Sequence, residues 1–420
     1  MVVGAEEACL LTAAEAREWR YRGEGSMNLV MAYIGDKEGL QGKVLRLRKA
    51  PIDSDESFKC ASIEESYAFL QRQQFSKLDG SCLPRGLLVL VSRDFLASVK
   101  SSCHGLRPAH RLTRDLDLTA RSGWLLPDLV SVPKELLVGS KVFLGIEIKP
   151  KCGTLPDRKL LSSATAIKAQ VSRYRMMQYE KLRTGKITSI SSYDPLDLFS
   201  GDLLRMQTAV RNMMQDPQNV FRVWVCSGPS SAIRHLGSEE ELREVLGSPG
   251  LSRSWESEED FCRLFAKVVQ HSKVLVRIRE LQALDALDIE NIYHMHRCLA
   301  NPDEYSEADA RSSAPAKLPP VGDWDRLIEE YLIAHSAKDC SVIFTLTMID
   351  KQEHDSSSIM SSAKSHGFEL VDESESCAVL YRFGVAQIDL DIKLRTKIPE
   401  YMSQDSRILE GYLEHNADKC

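Results

Sequence analysis

Ile146-Glu-Ile-Lys-Pro-Lys-Cys-Gly153 is the stretch around which the rest of the 420-residue chain can be arranged. Ile146 and Ile148 alternate with Glu147, Lys149 and Lys151. On an extended segment side chains change faces at every residue, so the three charged groups share one side. Pro150 has no N–H to give to a ladder and marks a strand end, and Gly153 permits a turn directly after it. Two ammonium groups and a carboxylate at a strand end suit a phosphate-handling site. A solvated edge strand, with Lys and Pro guarding against edge pairing, is the alternative that alternation alone leaves open.

A chain of 420 residues exceeds one ordinary core, and two lobes are expected. Hydrophobic residues at 43% and charged residues at 27% are ordinary globular values. A net charge of -6 argues against a nucleic-acid binder, so an anionic ligand would need a local basic pocket. Met1 to Arg17 carries Glu6, Glu7 and Glu15 and has neither a basic start nor a long apolar run, so no signal peptide is expected. No apolar run reaches the roughly 18 residues of a membrane span. Eleven cysteines without a Cys-x-x-Cys pair fit reduced thiols in the cytosol or nucleus. His294, His296 and Cys298 are the only cluster resembling metal ligands, and their spacing matches no standard zinc site.

Along the chain, Trp19 to Tyr33 contains the turn Gly23-Glu24-Gly25, over which a backbone can lie close to phosphates, with Asn28 as a polar contact. It reads equally well as a tight hairpin. Lys43-Val-Leu-Arg-Leu-Arg-Lys49 alternates as a returning strand. A glycine turn with a basic residue on a neighbouring strand is how kinase-like lobes hold ATP, with Arg46 or Lys43 in that role. The alternative is a solvated basic face. Residues 53–74 read as loop then helix, Gly86 to Ser92 as a buried strand, Arg107 to Arg111 as a basic loop, and Trp124 to Val130 as a hinge. A helix is expected over Ala164 to Arg183, with Arg173, Met177 and Lys181 on one stripe.

Tyr193 to Gly201 reads as a turn entering a helix near Leu203, with Asp197 or Ser200 as its cap. Phe221 to Cys226 is a strand, and Phe261 to Leu287 is helical. Asn301 to Gly322 reads as a mobile insertion. A helix over Trp324 to His335, a strand over Cys340 to Met348 and a polar excursion over Gln352 to Gly367 follow. A last strand is expected from Cys377 to Lys393, with Gln387, Asp389, Asp391 and Lys393 on one face. That face reads as a cation site beside a phosphate site, because magnesium needs hard oxygen ligands, or as a salt-bridge ladder.

Glycine turn, basic strand, hinge, lysine-rich strand, then Asp339 and Asp389 is the running order of a bilobal ATP-dependent kinase. No Walker A loop is present, and Arg382-Phe-Gly384 has Arg where a protein kinase has Asp. Glu147-Ile-Lys-Pro-Lys-Cys-Gly153 closely resembles the signature of the inositol-pentakisphosphate 2-kinases. The likeness extends over Tyr21 to Gly25 with Asn28, Val44 to Arg46, Arg107-Pro-x-x-Arg111, Leu126 to Leu129 and Asp194 to Gly201. It continues over Pro217 to Asn219, Leu284 to Glu290, Ala337 to Ser341 and Ile388 to Lys393.

This resemblance implies an α+β, bilobal inositol-phosphate-kinase or protein-kinase-like fold. A small N-lobe sheet would span residues 1–130 and a larger α+β C-lobe residues 131–420. It implies transfer from ATP, with magnesium, to the 2-hydroxyl of inositol 1,3,4,5,6-pentakisphosphate, giving inositol hexakisphosphate (phytate). By resemblance Asp339 is the catalytic aspartate, Lys149 offsets charge on the transferring phosphoryl group, and Asp389 holds magnesium. Gly23, Glu24, Gly25, Asn28, Arg46 and Asp128 would hold the nucleotide. Arg111, Lys149, Lys151, Arg173, Lys181, Asn219, Lys393, Lys397 and Tyr401 would contact the substrate.

Leu394 and Lys397 depart from the family, which usually has Pro at the first position and, in plant members, Arg at the second. Plant members carry a zinc site with a Cys-x-x-Cys pair that this chain lacks, so no structural zinc is predicted. A monomer without nucleic-acid or membrane partners is expected. A kinase for a less phosphorylated inositol and a non-catalytic inositol phosphate binder are the alternatives. Retention of Lys149, Asp339 and Asp389 together argues against the second.

Overall fold

The computed structural model describes residues 10–52, 61–69, 86–130, 143–226, 234–236, 239–246, 258–301, 318–350, 369–372 and 379–417. Most of the expected insertion after Asn301, the polar excursion after residue 351 and much of 53–74 lie outside the described residues. The chain divides into two compact units, Met1–Val138 and Gly139–Cys420. The fold is α+β.

Unit 1 is built on strands β1 (Leu10–Leu11), β2 (Trp19–Glu24), β3 (Asn28–Tyr33), β4 (Lys43–Pro51), β5 (Leu87–Val91), β6 (Arg114–Leu116) and β7 (Ser122–Pro127). They form one sheet in the order β1-β5-β7-β4-β3-β2, with β6 added to β4. Helix α1 (Ile63–Phe69) touches β7, and α2 (Arg93–Cys103) is capped by Ser92, whose Oγ accepts from the Phe95 N–H at 3.1 Å. Alternation explains the core. Leu45 and Leu47 of β4 share one face and meet Leu29, Met31, Val89 and the buried side of α2, Phe95, Leu96 and Val99.

Unit 2 contains β8 (Phe143–Ile148), α3 (Arg173–Arg183), α4 (Pro195–Leu198), α5 (Leu203–Gln215), β9 (Phe221–Cys226), β10 (Arg234–Leu236), α6 (Glu239–Leu246) and α7 (Glu258–Ser272). It continues with α8 (Val274–Gln282), α9 (Asp288–Ala300), α10 (Trp324–Ala337), β11 (Ser341–Asp350), β12 (Glu369–Asp372), β13 (Val379–Ile388) and α11 (Ile398–Asn416). The sheet order is β10-β9-β8-β11-β13-β12, with every neighbouring pair antiparallel. β8 is therefore interior, between β9 and β11, and all six of its residues are buried. That excludes the edge-strand reading of the Glu-Ile-Lys-Pro-Lys stretch. Phe265 of α7 packs edge-on against Phe344 of β11 at 5.2 Å and Phe221 of β9 at 6.4 Å, fixing that helix on the sheet. α11 lies against α3 and α9, and a Cβ on Gly411 would come within 3.0 Å of the Glu180 backbone, so the close approach to α3 requires glycine there.

Four expectations are corrected. The helix over Ala164 to Arg183 begins only at Arg173, where the Ser172 Oγ accepts from the Arg175 N–H at 3.3 Å, after a separate 3-10 turn over Ala166–Ala169. The helix over Phe261 to Leu287 is broken at Lys273, whose φ of 54° ends α7 and starts α8. The cap of α5 is Asp202, accepting from the Arg205 N–H at 2.9 Å, in place of Asp197 or Ser200. The last strand stops at Ile388, because Asp389 takes a φ of 60°. Asp389 and Lys393 thus leave the strand instead of sharing its face.

Candidate active site

In unit 1 the Gly23-Glu24-Gly25 turn closes the β2–β3 hairpin, with the Gly25 N–H donating to the Asn28 carbonyl at 2.9 Å. No atom lies within 4 Å of a Cβ placed on Gly23 or Gly25, so both face open space. The Glu24 carboxylate points the other way. It accepts from Arg107 Nε at 2.8 Å and Nη2 at 3.0 Å, and from the Lys49 ammonium. All three side chains are 1% exposed or less. Buried ions survive only when so paired, and Lys49 and Arg107 outweigh the burial that would raise the Glu24 pKa, holding it below its ordinary value.

Sequence reasoning assigned Glu24 to the nucleotide, yet its carboxylate is saturated by protein cations, and what this turn offers a ligand is backbone. Asn28 is likewise engaged, its Oδ1 accepting from Arg48 at 3.1 Å. Arg46 lies over the Trp124 ring at 5.9 Å, and Asp128 pairs with Arg22 at 3.3 Å. Arg107 also donates to the carbonyls of Arg111, at 3.2 Å, and Arg114, at 2.6 Å, so the same guanidinium that holds the glycine turn fixes the Arg111 loop.

In unit 2 β8 ends at Ile148, before the lysines, so the expected alternation does not carry through to Lys151. Pro150 is fixed by the Tyr193 hydroxyl, which donates to its carbonyl at 2.8 Å, and Lys151 then takes a φ of 61°. The Lys149 Nζ lies 3.4 Å from Asp389 Oδ2, and the Lys151 Nζ donates to Asp339 Oδ1 at 3.0 Å. Lys393 reaches Asp339 Oδ2 at 3.8 Å, and the Ser341 hydroxyl donates to Asp389 at 3.2 Å. Three ammonium groups thus converge on two carboxylates. Asp339 follows the end of α10, its N–H donating to the Ser336 carbonyl at 3.2 Å.

The Asp339 side chain is 60% exposed. Burial of its carboxyl group raises its pKa, but Lys151, Lys393 and Lys149 outweigh that and bring it to about 2. Burial works against the Lys149 charge, and Asp389, Glu147 and Asp339 outweigh it, raising the pKa. Glu147, whose role the sequence left open, is the buried partner of Arg222 across the β8–β9 ladder at 3.5 Å.

Residues that sequence reasoning missed hold these groups in place. Gln282, 0% exposed at the end of α8, donates to the Lys151 carbonyl at 2.8 Å and the Ala337 carbonyl at 3.3 Å, and accepts from the Gly153 N–H at 2.9 Å. One carboxamide therefore ties the Lys151 turn to the chain just before Asp339. A Cβ on Gly153 would collide with the Phe199 ring, so the turn needs glycine. Arg173 does not stand free for a ligand: it pairs with Asp405 of α11, which also accepts from the buried Lys168 at 2.8 Å. Lys168 pairs with Asp288 as well. Nothing in the sequence marked Lys168 or Asp405.

Asp288 has a φ of 62°, and burial, opposed by Lys168, raises its pKa to about 6. A carboxyl pKa raised on folding stabilises the protein at low pH, and that contribution is lost as pH rises through about 6. Asn keeps the neutral shape and tolerates left-handed backbone. Asp288→Asn is therefore expected to be more stable than wild type at pH 7.5 by on the order of 1–3 kcal/mol, with the gain vanishing toward pH 4. Thermal unfolding across that range checks it, and a variant less stable at pH 7.5 than at pH 5 relative to wild type contradicts it.

Of the remaining candidates, Lys181 and Asn219 line one pocket of unit 2. Tyr401 stacks on His335 at 4.3 Å, and Lys397 lies 3.7 Å from Glu400. Burial, with Lys393 and Arg173 nearby, drives the His335 pKa well below its usual value, so that ring is neutral. Among the described residues no group of three or more His, Cys, Asp or Glu side chains could hold a metal, and no helix is long and apolar enough to cross a membrane.

The sequence profile of the inositol-pentakisphosphate 2-kinase family matches residues 21–407. The chain belongs to the inositol-pentakisphosphate 2-kinase family. Among curated relatives, the inositol-pentakisphosphate 2-kinase of Arabidopsis thaliana is 29% identical over 96% of this chain and 95% of its own length. That of Oryza sativa subsp. indica is 28% identical with the same coverage, and that of Danio rerio 25% identical over 96% and 94%. As a member of this kinase family the protein is a phosphotransferase, and it uses ATP.

Proposed function

We propose that the protein transfers the γ-phosphoryl group of ATP to the 2-hydroxyl of inositol 1,3,4,5,6-pentakisphosphate, giving inositol hexakisphosphate. The observation that carries this reading is the convergence of Lys149, Lys151 and Lys393 on the carboxylates of Asp339 and Asp389. Five phosphates at about -1.5 to -2 each need such a concentration of cations in a chain whose net charge is -6. A site that only bound anions would gain nothing from two carboxylates among its lysines.

In the reaction the inositol oxygen forms a bond to the γ-phosphorus, and the bond from that phosphorus to ADP breaks. The hydroxyl proton passes to Asp339. With a pKa of about 2 this carboxylate is a weak base. Its chief work is therefore to orient the hydroxyl, and it takes the proton late, as a loose transition state requires. Lys149 stays cationic and offsets charge on the group in flight. Lys151, Lys393, Arg173, Lys181, Asn219, Lys397 and Tyr401 bind the substrate phosphates. Arg173 does so in competition with Asp405.

Gly23, Gly25, Arg46 and Asp128 serve the nucleotide, with Glu24 and Asn28 holding the turn. Asp389, 38% exposed, fits a magnesium ion, which needs only one or two protein carboxylates beside phosphates and water. That ion would neutralise phosphate charge. The buried, unbridged Cys103, Cys152, Cys262, Cys298 and Cys340 support a reducing compartment, cytosol or nucleus.

The test is ADP release with each inositol phosphate in turn. Dependence on the pentakisphosphate bearing a free 2-hydroxyl supports the reading, and release with none overturns it. Lys151→Ala, which removes a charge-assisted hydrogen bond, is expected to weaken substrate binding by about 1.5–3 kcal/mol, or roughly 10- to 100-fold. Titration calorimetry measures this, and unchanged affinity would remove Lys151 from the substrate set.

A further inference from the structure

α3 ends in a left-handed turn that sends the chain back beside the helix. Gly185 has a φ of 67°, its N–H donates to the Leu182 carbonyl at 3.1 Å, and the Lys186 N–H donates to the Lys181 carbonyl at 2.9 Å. This is the hydrogen-bond pattern that closes a helix through glycine. Its consequence is that Lys186 is returned to the neighbourhood of Lys181, five residues earlier. Both lysines line a pocket of about 420 Å³ with Thr188, Ser189, Gln218 and Asn219.

The pocket wall is built. Gln218 has a φ of 40° and is held by a reciprocal pair of amide hydrogen bonds, 3.0 and 3.1 Å, with Gln178 of α3. Gln178 is fully buried and also accepts from the Ser191 N–H at 3.1 Å. Asp216, the one acidic residue lining the pocket, accepts from Gln218 at 3.1 Å. Burial, then Lys151 and Lys186, lower the Lys181 pKa and outweigh the opposing charge of Asp339, so Lys181 stands among cations at this pocket.

We propose that Lys186 is a further specificity-determining residue of the substrate site: its ammonium group and the hydroxyls of Thr188 and Ser189 join Lys181 and the Asn219 carboxamide in receiving one ring phosphate of the substrate. The proposal rests on the function proposed above, which uses Lys181 and Asn219 alone. A phosphate monoester carries about -1.5 to -2 charges, which two ammonium groups match, and its three oxygens accept what hydroxyls and an amide donate.

The experiment compares wild type with Lys186→Ala on the pentakisphosphate and on tetrakisphosphates each lacking one phosphate. Lys186 is exposed, so the variant is expected to melt with wild type. The variant should raise the KM for the pentakisphosphate about tenfold, the effect of one charge-assisted hydrogen bond, with the KM for ATP unmoved. For one tetrakisphosphate, the isomer lacking the seated phosphate, wild type and variant should have the same KM. Equal KM values for every substrate, or the same rise for every isomer as bulk charge would give, overturn the assignment of Lys186. A wild type that turns over no inositol phosphate overturns the underlying reading and this proposal with it.

Discussion

Asp339→Ala is expected to lower kcat by about 10²- to 10⁴-fold while substrate binding is kept. The variant removes the group that orients the attacking hydroxyl and takes its proton. It also releases Lys151 and Lys393, which both lie against this carboxylate in the absence of substrate. The pocket gains net positive charge, so affinity for a polyanion holds or rises. Asp339→Asn should lose less rate than Asp339→Ala, because a carboxamide oxygen can still orient the hydroxyl although it cannot take its proton. Single-turnover rates and calorimetry separate the two effects. Wild-type turnover by Asp339→Ala would refute the assignment.

Arg107→Ala is expected to cost about 3–5 kcal/mol of stability, because removing one member of a buried ion cluster leaves the others uncompensated. This guanidinium satisfies Glu24 twice, Asp115 at 2.8 Å, and the carbonyls of Arg111 and Arg114. Glu24 would be left to Lys49 and the Tyr21 hydroxyl, with the Glu24 and Lys49 side chains out of reach of water. Since the chain has two compact units, a single unfolding midpoint need not report on the right one. Hydrogen exchange of the β2, β3 and β4 amides does, and unchanged protection there would contradict the cluster's proposed role.

Much of the fold was legible because burial has a period. β8, β9, β11 and the core strands of unit 1 announce themselves by apolar runs or alternation, and Pro150 marks the strand end. Two of the failures share one physical cause, left-handed backbone at residues other than glycine, while the late start of α3 and the cap of α5 are set by the side-chain acceptors Ser172 and Asp202. Lys273 breaks a helix whose apolar periodicity runs on, and Asp389 ends a strand whose alternation runs on to Lys393. Neither residue type marks such a φ. The supports of the site were hidden for a different reason. Lys168, Asp405 and Gln282 look like solvated helix residues, and only packing between distant segments makes them interior. Glu24 is given to the nucleotide by resemblance alone, and its partners Lys49 and Arg107, 25 and 83 residues away, have no local signal in the sequence.

The central claim is that Lys149, Lys151, Asp339, Asp389 and Lys393 form a phosphoryl-transfer site for the 2-hydroxyl of a pentakisphosphate. Incubation of the protein with γ-labelled ATP, magnesium and inositol 1,3,4,5,6-pentakisphosphate, followed by separation of the products, tests it most directly. The account predicts labelled inositol hexakisphosphate carrying the label at position 2, and none from Asp339→Ala. Label at any other ring position, or no labelled product from wild type, would contradict it.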